Sequence, residues 1–493
     1  MRRNNTFEVV VENQGRPQID GVFDAEEKAR ERAAYLLSQA KFGSVRVVKV
    51  DKRGASVVVF EKNYRGTGKA VGIGTLEDAP ICDTALEVFA FPARRVLGRV
   101  MRPWCDEQTM PPLEALHKPI QLRQIEREDV LFHQFINRIA SVQAKKYRML
   151  PEERADQLRR LYLAVFNMAK AAETDLAYWG LLIRREGFNA VARQATEDLP
   201  EAERPRAVTY ALAQWIEHSR DWPRKLDALT ELFTNDMSAE AVNYLDEAIA
   251  EILDSSNAIR AILGYEPDLA SALIALGNLA KGSFDERHGR SPALERLNWQ
   301  IDRWGLPICR ATLLSRIART VDSTTPLTKT GKVSDAQAFR KLLGLIREVG
   351  GFKGGPVMCS AVTRRAQTAF GGDYEDLPVE EAVSMVADTM PDAAARIGYL
   401  LDLLGSEFGH RRATYLTKQL ANIFTRMTSI RDLFAGQPDA WKSSAVRDGF
   451  RDRLYNGGIR RDLADMLLRR IELLAQADEA AAAAAAAKAA GAA

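Results

Sequence analysis

The chain has 493 residues, 46% of them hydrophobic and 27% charged, and its 69 basic and 66 acidic residues give a net charge of +3. This composition is typical of a globular protein with several domains, and the balanced charge argues against binding a polyanion over the whole surface. No apolar run reaches the roughly 18–20 residues of a membrane span, and we expect no secretory signal after Met1–Asn5. Four cysteines without a CxxC pair indicate reduced thiols in a cytoplasmic protein.

Residues 1–65 have the pattern of a small α/β module. Runs of β-branched residues predict strands, the Asn13-Gln14-Gly15 turn predicts a hairpin, and Asp24 is a suitable N-cap for the helix that follows. The predicted elements are Phe7–Glu12, Arg16–Phe23, a helix over about Ala25–Ala40, Ser44–Val50 and Ala55–Glu61. This ββαββ order predicts a sheet with one helix packed on it. Because so small a core is thin, we expect the module to lean on a partner or on the rest of the chain.

Residues 66–122 are predicted to form a connector broken by glycine and proline, with short helices, one of them over Asp83–Met101. The pattern beyond is almost wholly helical. We predict two helical domains, residues 123–290 and 291–478, or one continuous domain. No repeat of fixed period is found, so the sequence does not indicate a solenoid. Residues 479–493 are rich in alanine and lack an amphipathic pattern, so we expect a disordered tail or a frayed helix.

The fold class is therefore mostly α: the small N-terminal α/β module, a large irregular multi-helix body and the tail. The most regular amphipathic pattern covers Met237–Asp254, where Ser238 is a good N-cap. Its apolar positions follow the spacing of one helix face and are Ala241, Val242, Leu245, Ala248, Ile249, Ile252 and Leu253. The opposite face is predicted to be solvated and carries Glu240, Asp246, Glu247, Glu251 and Asp254.

The glycine-rich segment 66–74 suggests a phosphate-binding loop but does not fit one. A Walker loop ending at Gly68-Lys69 requires glycine at position 63 and serine or threonine at position 70, and this chain has Asn63 and Ala70 there. We interpret the segment as a linker and predict no cofactor.

Two Glu-x-x-His pairs, Glu114/His117 and Glu407/His410, have the spacing found in di-iron sites of four-helix bundles. Prolines crowd the first pair, glycines disturb the second, and the two pairs are far apart in the chain. We expect solvated or capping residues and no metal site.

No catalytic constellation is recognisable. The five histidines are scattered, and neither an HExxH motif nor a GxSxG nucleophile elbow is present. Cys359 follows Gly354-Gly355-Pro356 near a helix start, so it is either a thiol of lowered pKa or a buried structural cysteine. We therefore predict no catalytic residues.

Basic residues supply the remaining candidates. Lys353 lies in the segment 350–356, which can form a backbone anion nest or a plain helix-to-helix turn. The loop 321–334 is either a flexible surface connection or a regulated or partner-binding loop. The candidate contacts for an anion or a partner are Lys353, Arg364, Arg365, Arg460 and Arg461, with solvated helix faces as the alternative.

The leading functional hypothesis is a non-catalytic cytoplasmic adaptor, scaffold or regulatory protein that acts through helical protein–protein contacts. A protein partner or a homo-oligomer is expected. One alternative is a nucleic-acid-associated protein that uses its basic C-terminal helices. The other is an enzyme whose site is assembled from residues distant in sequence.

Overall fold

The computed structural model describes most of the chain. The described residues are 6–13, 16–38, 44–51, 56–63, 76, 79–284, 291–348, 350–371, 376–434 and 440–490. The glycine-rich segment 66–74 lies outside them, so its interpretation as a linker stays a prediction.

The chain divides into two compact units. Unit 1 comprises Met1–Gly68, Asp268–Gly277 and Leu314–Ala493, and unit 2 comprises Lys69–Pro267 and Asn278–Leu313. The domain boundaries given above stay predictions.

The N-terminal module is a four-stranded antiparallel sheet with one helix, and the predicted ββαββ order is confirmed. Its elements are β1 (Thr6–Asn13), β2 (Arg16–Phe23), α1 (Glu26–Ser38), β3 (Ser44–Val50) and β4 (Ser56–Asn63). The strand order across the sheet is β2-β1-β3-β4. Alternate residues of the two central strands face α1, so Val9, Val11, Val45 and Val47 are buried against it.

Unit 2 is a packed array of helices. Its first helices are α2 (Phe91–Val100), α3 (Arg102–Gln108), α4 (Pro112–Ala115), α5 (Pro119–Arg127), α6 (Asp129–Tyr147), α7 (Pro151–Asp175), α8 (Ala177–Glu186), α9 (Phe188–Asp198), α10 (Arg204–Ile216), α11 (Trp222–Thr230), α12 (Ala239–Leu253) and α13 (Ser256–Leu263). They are followed by α14 (Leu269–Lys281), α15 (Pro292–Trp304) and α16 (Pro307–Val321). The helix α15 belongs to unit 2, whereas α14 and α16 contribute residues to both units.

Prolines begin several helices in the predicted connector. Pro103, Pro112 and Pro119 lie in the first turns of α3, α4 and α5. Proline is tolerated there because the first N–H groups of a helix have no intrahelical partner. A segment rich in proline is therefore built as a series of short helices that change direction.

The helical part of unit 1 contains one small hairpin. Its elements are α17 (Lys332–Ile346), β5 (Arg347–Glu348), β6 (Gly351–Phe352), α18 (Gly355–Ala369), α19 (Val379–Asp388), α20 (Ala393–Leu404), α21 (Glu407–His410), α22 (Ala413–Arg426), α23 (Ser444–Asn456) and α24 (Arg461–Ala490). The alanine-rich tail continues α24 as far as Ala490, and its residues 479–485 are exposed. Of the two alternatives for the tail, disorder and a frayed helix, the structure shows the helical one. Gly398 of α20 is required by close packing, since a Cβ there would lie 1.8 Å from the carbonyl oxygen of Gly350.

The helix α12 forms where the sequence predicts it, but its polar face is not solvated as predicted. The Ser238 hydroxyl accepts a hydrogen bond from the Ala241 N–H at 3.2 Å, which caps the helix. Asp246 and Glu251 are only 1% and 4% exposed. The prediction of a solvated face was wrong for these residues because α2, α4, α9, α11 and α13 surround α12 on several sides.

Each buried carboxylate of α12 has specific donors. The Arg94 Nε donates to Glu251 at 2.6 Å, and the Leu113 N–H donates to the other oxygen of Glu251 at 2.9 Å. Arg94 also contacts Glu247 at 3.3 Å. Asp246 accepts the N–H groups at residues 308 and 309, at the start of α16, both at 2.8 Å. A buried charge is tolerated only with such compensation, so these contacts fix the position of α12.

Replacing Arg94 with methionine is expected to lower the free energy of unfolding of unit 2 by about 3–5 kcal/mol, because Glu251 is left buried without its partner. Chemical denaturation followed by tryptophan fluorescence measures this. The signal reports unit 2, since six of the seven tryptophans lie in it, at positions 104, 179, 215, 222, 299 and 304. The control is Arg224→Met, which removes the exposed ion pair with Asp221. It is expected to have a far smaller effect, and equal losses in the two variants would contradict the account.

Candidate functional site

The arginines predicted as anion or partner contacts are engaged with groups of their own unit. Arg364 forms an ion pair with Asp322, and Arg460 forms one with Asp462. The Arg461 guanidinium lies 5.8 Å from the centre of the Tyr455 ring. The structure thus gives these side chains separate partners, and their role as ligand contacts stays a prediction.

Arg365 is buried and organises the loop 321–334. Its Nη1 donates to the carbonyl oxygens of Ser323 and Thr325, each at 2.9 Å, and its Nη2 donates to Asp335 at 3.3 Å. Asp335 also accepts the Leu327 N–H at 3.1 Å. Arg365 and Asp335 therefore bind the backbone of this loop, and both interpretations of it, a flexible surface connection or a regulated or partner-binding loop, stay predictions.

Lys353 lies between β6 and α18. Its backbone N–H donates to Ile346 at 2.9 Å, which closes the β5–β6 hairpin. Gly354 caps α18 with a φ of 94°, a conformation that favours glycine. The segment 350–356 is therefore a strand followed by a helix-initiating turn, and Lys353 as an anion contact stays a prediction.

The first Glu-x-x-His pair is buried, and the expectation that it is solvated or capping was wrong. Glu114 forms an ion pair with Lys225 of α11, and both side chains are almost inaccessible. The His117 Nε2 lies 2.9 Å from the Thr209 hydroxyl of α10. Because both partners come from helices about 100 residues further along the chain, local spacing could not reveal them.

The second pair is at the surface, and the expectation of solvated residues is confirmed for it. Glu407 is exposed and contacts Arg411 at 3.3 Å, and the His410 Nδ1 lies 3.1 Å from the Ser406 carbonyl oxygen. In the described part of the chain, no three His, Cys, Asp or Glu side chains converge as metal ligands would.

His117 is a neutral buried imidazole. Burial lowers its pKa to about 3, and the positive charges of Arg206, Arg94 and Lys118 act in the same direction. The Thr209 hydroxyl donates to the Pro205 carbonyl at 2.6 Å, so it accepts the hydrogen bond from the His117 Nε2. The Nδ1 atom of His117 has no hydrogen-bond partner. The unfolded chain therefore binds a proton at this histidine at a higher pH than the folded chain does.

His117 is expected to make unit 2 less stable as the pH falls below about 6.5, the pKa of an unperturbed histidine. Because the folded pKa lies below the unfolded one, the unfolded state takes up the proton first, and the free energy of unfolding falls by at most ~1.4 kcal/mol per pH unit. His117→Gln should reduce this slope between pH 6.5 and 4.5. His218→Gln, at an exposed position, is the matched control and should leave the slope unchanged. Identical slopes in all three proteins would show that His117 is not responsible.

The four cysteines are buried and unpaired. Burial raises the pKa of Cys82 to about 11 and that of Cys105 to about 12. The pKa of Cys359 is also raised, first by burial and then by the neighbouring Asp402 carboxylate. Of the two alternatives for Cys359, these properties match the buried structural cysteine, because a reactive thiol requires a lowered pKa.

The N-terminal sheet has an apolar face that points away from α1, which we name the open sheet face. Strand pairing defines it as one row of Val22, Glu8, Val48 and Val58 and one row of Ile19, Val10 and Arg46. Residues paired across neighbouring strands share a face, so these side chains form one patch. Ile19, Val22 and Val58 are 54%, 57% and 49% exposed. An apolar patch that remains accessible is characteristic of an interaction surface.

Unit 2 contains an apolar cavity of about 130 Å³ between α2, α5, α6 and α7, which we name the α2–α7 cavity. Leu97, Ile125, Ile136 and Leu158 contribute to its walls. Nothing in the sequence pattern indicates it, because most of its lining is ordinary core residues of the six helices α2 to α7.

Comparison of the chain with known protein families, with curated protein sequences and with solved structures gave no match. Among the helices described, none has both the length and the apolar composition needed to cross a membrane.

Proposed function

We propose that this protein is a non-catalytic cytoplasmic adaptor or scaffold that acts through protein–protein contacts. The observation that carries the proposal is the open sheet face. A two-layer module of this size has a core on one side of its sheet only, so burying the second side gives the apolar area that the module lacks. This agrees with the expectation that so thin a core leans on a partner or on the rest of the chain, and we propose the first alternative.

The occupant that fits the open sheet face best is a second copy of the same face. Most homo-oligomers are two-fold symmetric, and a two-fold interface brings one patch against itself. Glu8 and Arg46 lie on the two central strands of the patch, β1 and β3. The surrounding valines and Ile19 supply the apolar contact between two stacked sheets.

Other features of the chain support a role without bond chemistry. Buried Lys225 and Arg94 are paired with carboxylates inside unit 2. The thiols have raised pKa values, and His117 is enclosed and neutral. Four unpaired cysteines also suit the reducing cytoplasm.

The double variant Ile19→Lys/Val22→Lys is expected to be a monomer where the unmodified protein is a dimer, because two charges would be desolvated in the interface. Size-exclusion chromatography with light scattering at several protein concentrations measures the mass. Both positions are exposed, so the module is expected to fold normally, and circular dichroism checks this.

The matched control is Val57→Lys. Val57 lies on β4 of the same module and is 64% exposed, but it pairs with Lys49 and so belongs to the other face of the sheet. This variant should remain a dimer. An unmodified protein that is monomeric at every concentration, or a dimer that the double variant does not weaken, would refute the second copy as the occupant.

A further inference from the structure

We propose that unit 2 binds an uncharged apolar small molecule, of the size of one aromatic ring or a short hydrocarbon chain, in the α2–α7 cavity. This is a ligand site within unit 2 and is independent of the open sheet face, which belongs to unit 1. Three properties of the cavity support this site: its lining, the hydrogen bonds of its polar side chains and its volume.

The lining is almost entirely aliphatic and aromatic. Aliphatic residues of α2, α5 and α6 line the cavity, as do the rings of Phe132, Phe135 and Tyr162. Such surfaces attract a ligand through dispersion and the removal of apolar area from water. They offer a charged ligand no compensation for its lost hydration.

The polar side chains of the lining are already satisfied. The Tyr162 hydroxyl donates to the Leu122 carbonyl at 2.5 Å, and the Gln143 amide donates to the Pro80 carbonyl at 2.6 Å. The Arg154 guanidinium donates to Gln143 at 2.7 Å and to the Cys82 carbonyl at 3.3 Å. A ligand with hydroxyl or amide groups therefore finds few partners here. Water is disfavoured for the same reason, since a buried water needs 2–4 polar partners.

The volume sets the size of the ligand. A cavity of about 150 Å³ with a similar lining of leucine, isoleucine and phenylalanine stays dry and binds benzene. The α2–α7 cavity has about 130 Å³. One six-membered ring with a methyl group, or an alkyl chain of comparable volume, is therefore the class of ligand that fits.

The test is the melting temperature of the full chain, followed by tryptophan fluorescence, with toluene as the probe and phenol as its polar counterpart. At about ten times its dissociation constant, toluene should raise the melting temperature by roughly 3–6 °C. Phenol at the same concentration should have a much smaller effect. The same measurement with n-hexane compares a linear hydrocarbon with an aromatic ring. A rise in melting temperature with toluene or with n-hexane supports the site.

The cavity-filling variant is Leu158→Trp, and its matched control is Leu163→Trp on the same helix, α7. Leu158 lines the cavity, whereas Leu163 is exposed. The first variant should lose the toluene-dependent shift and the second should keep it. If Leu158→Trp does not fold, Val165→Phe takes its place, since Val165 also lines the cavity. No shift in the unmodified chain, an equal shift with phenol, or a shift that survives filling would overturn the proposal.

Discussion

The compensation of buried charge around α12 is the constraint on which the structure of unit 2 depends. A carboxylate in a protein interior lowers stability by several kcal/mol unless donors surround it. Glu251 meets Arg94 of α2 and the backbone of α4, while Asp246 receives two N–H groups at the start of α16. Each contact is directional, so the acidic residues determine how α12 is rotated and shifted against its neighbours. Apolar packing alone would tolerate several such arrangements.

This constraint also bears on function. Glutamate and histidine are residue types that often act in catalysis, but three of them are enclosed here. Glu114 is paired with Lys225, His117 with Thr209 and Glu251 with Arg94. The raised pKa of Glu114 and the lowered pKa of His117 follow first from burial, which the packing of the protein interior produces as active sites do. The apolar features of the two units are of a different kind: an exposed sheet face in unit 1 and an apolar cavity in unit 2.

Local patterns predicted local structure well. The strands of the N-terminal module end within two residues of their predicted limits, because turn residues and β-branched runs act over a few positions. The solvation of the α12 acids could not be predicted in this way, since Arg94 lies 157 residues before Glu251. The open sheet face did leave a signal. Consecutive valines at positions 9–11 and 47–48 place apolar side chains on both faces of a strand, which a sheet with one solvated face does not require. The cavity left no signal in the sequence, because the volume of a cavity depends on how the helices pack against one another.

We propose that two copies of the chain meet through the open sheet face. Cross-linking through a single engineered cysteine tests this most directly, because the four native thiols are buried. Val48→Cys places a thiol on a central strand, where two sheets stacked about 10 Å apart bring it near its counterpart. A short bis-maleimide is predicted to convert this variant, in the full chain, into a covalent dimer and to leave Val57→Cys without a cross-link. Equal yields from the two variants, or no dimer from Val48→Cys, would contradict the claim.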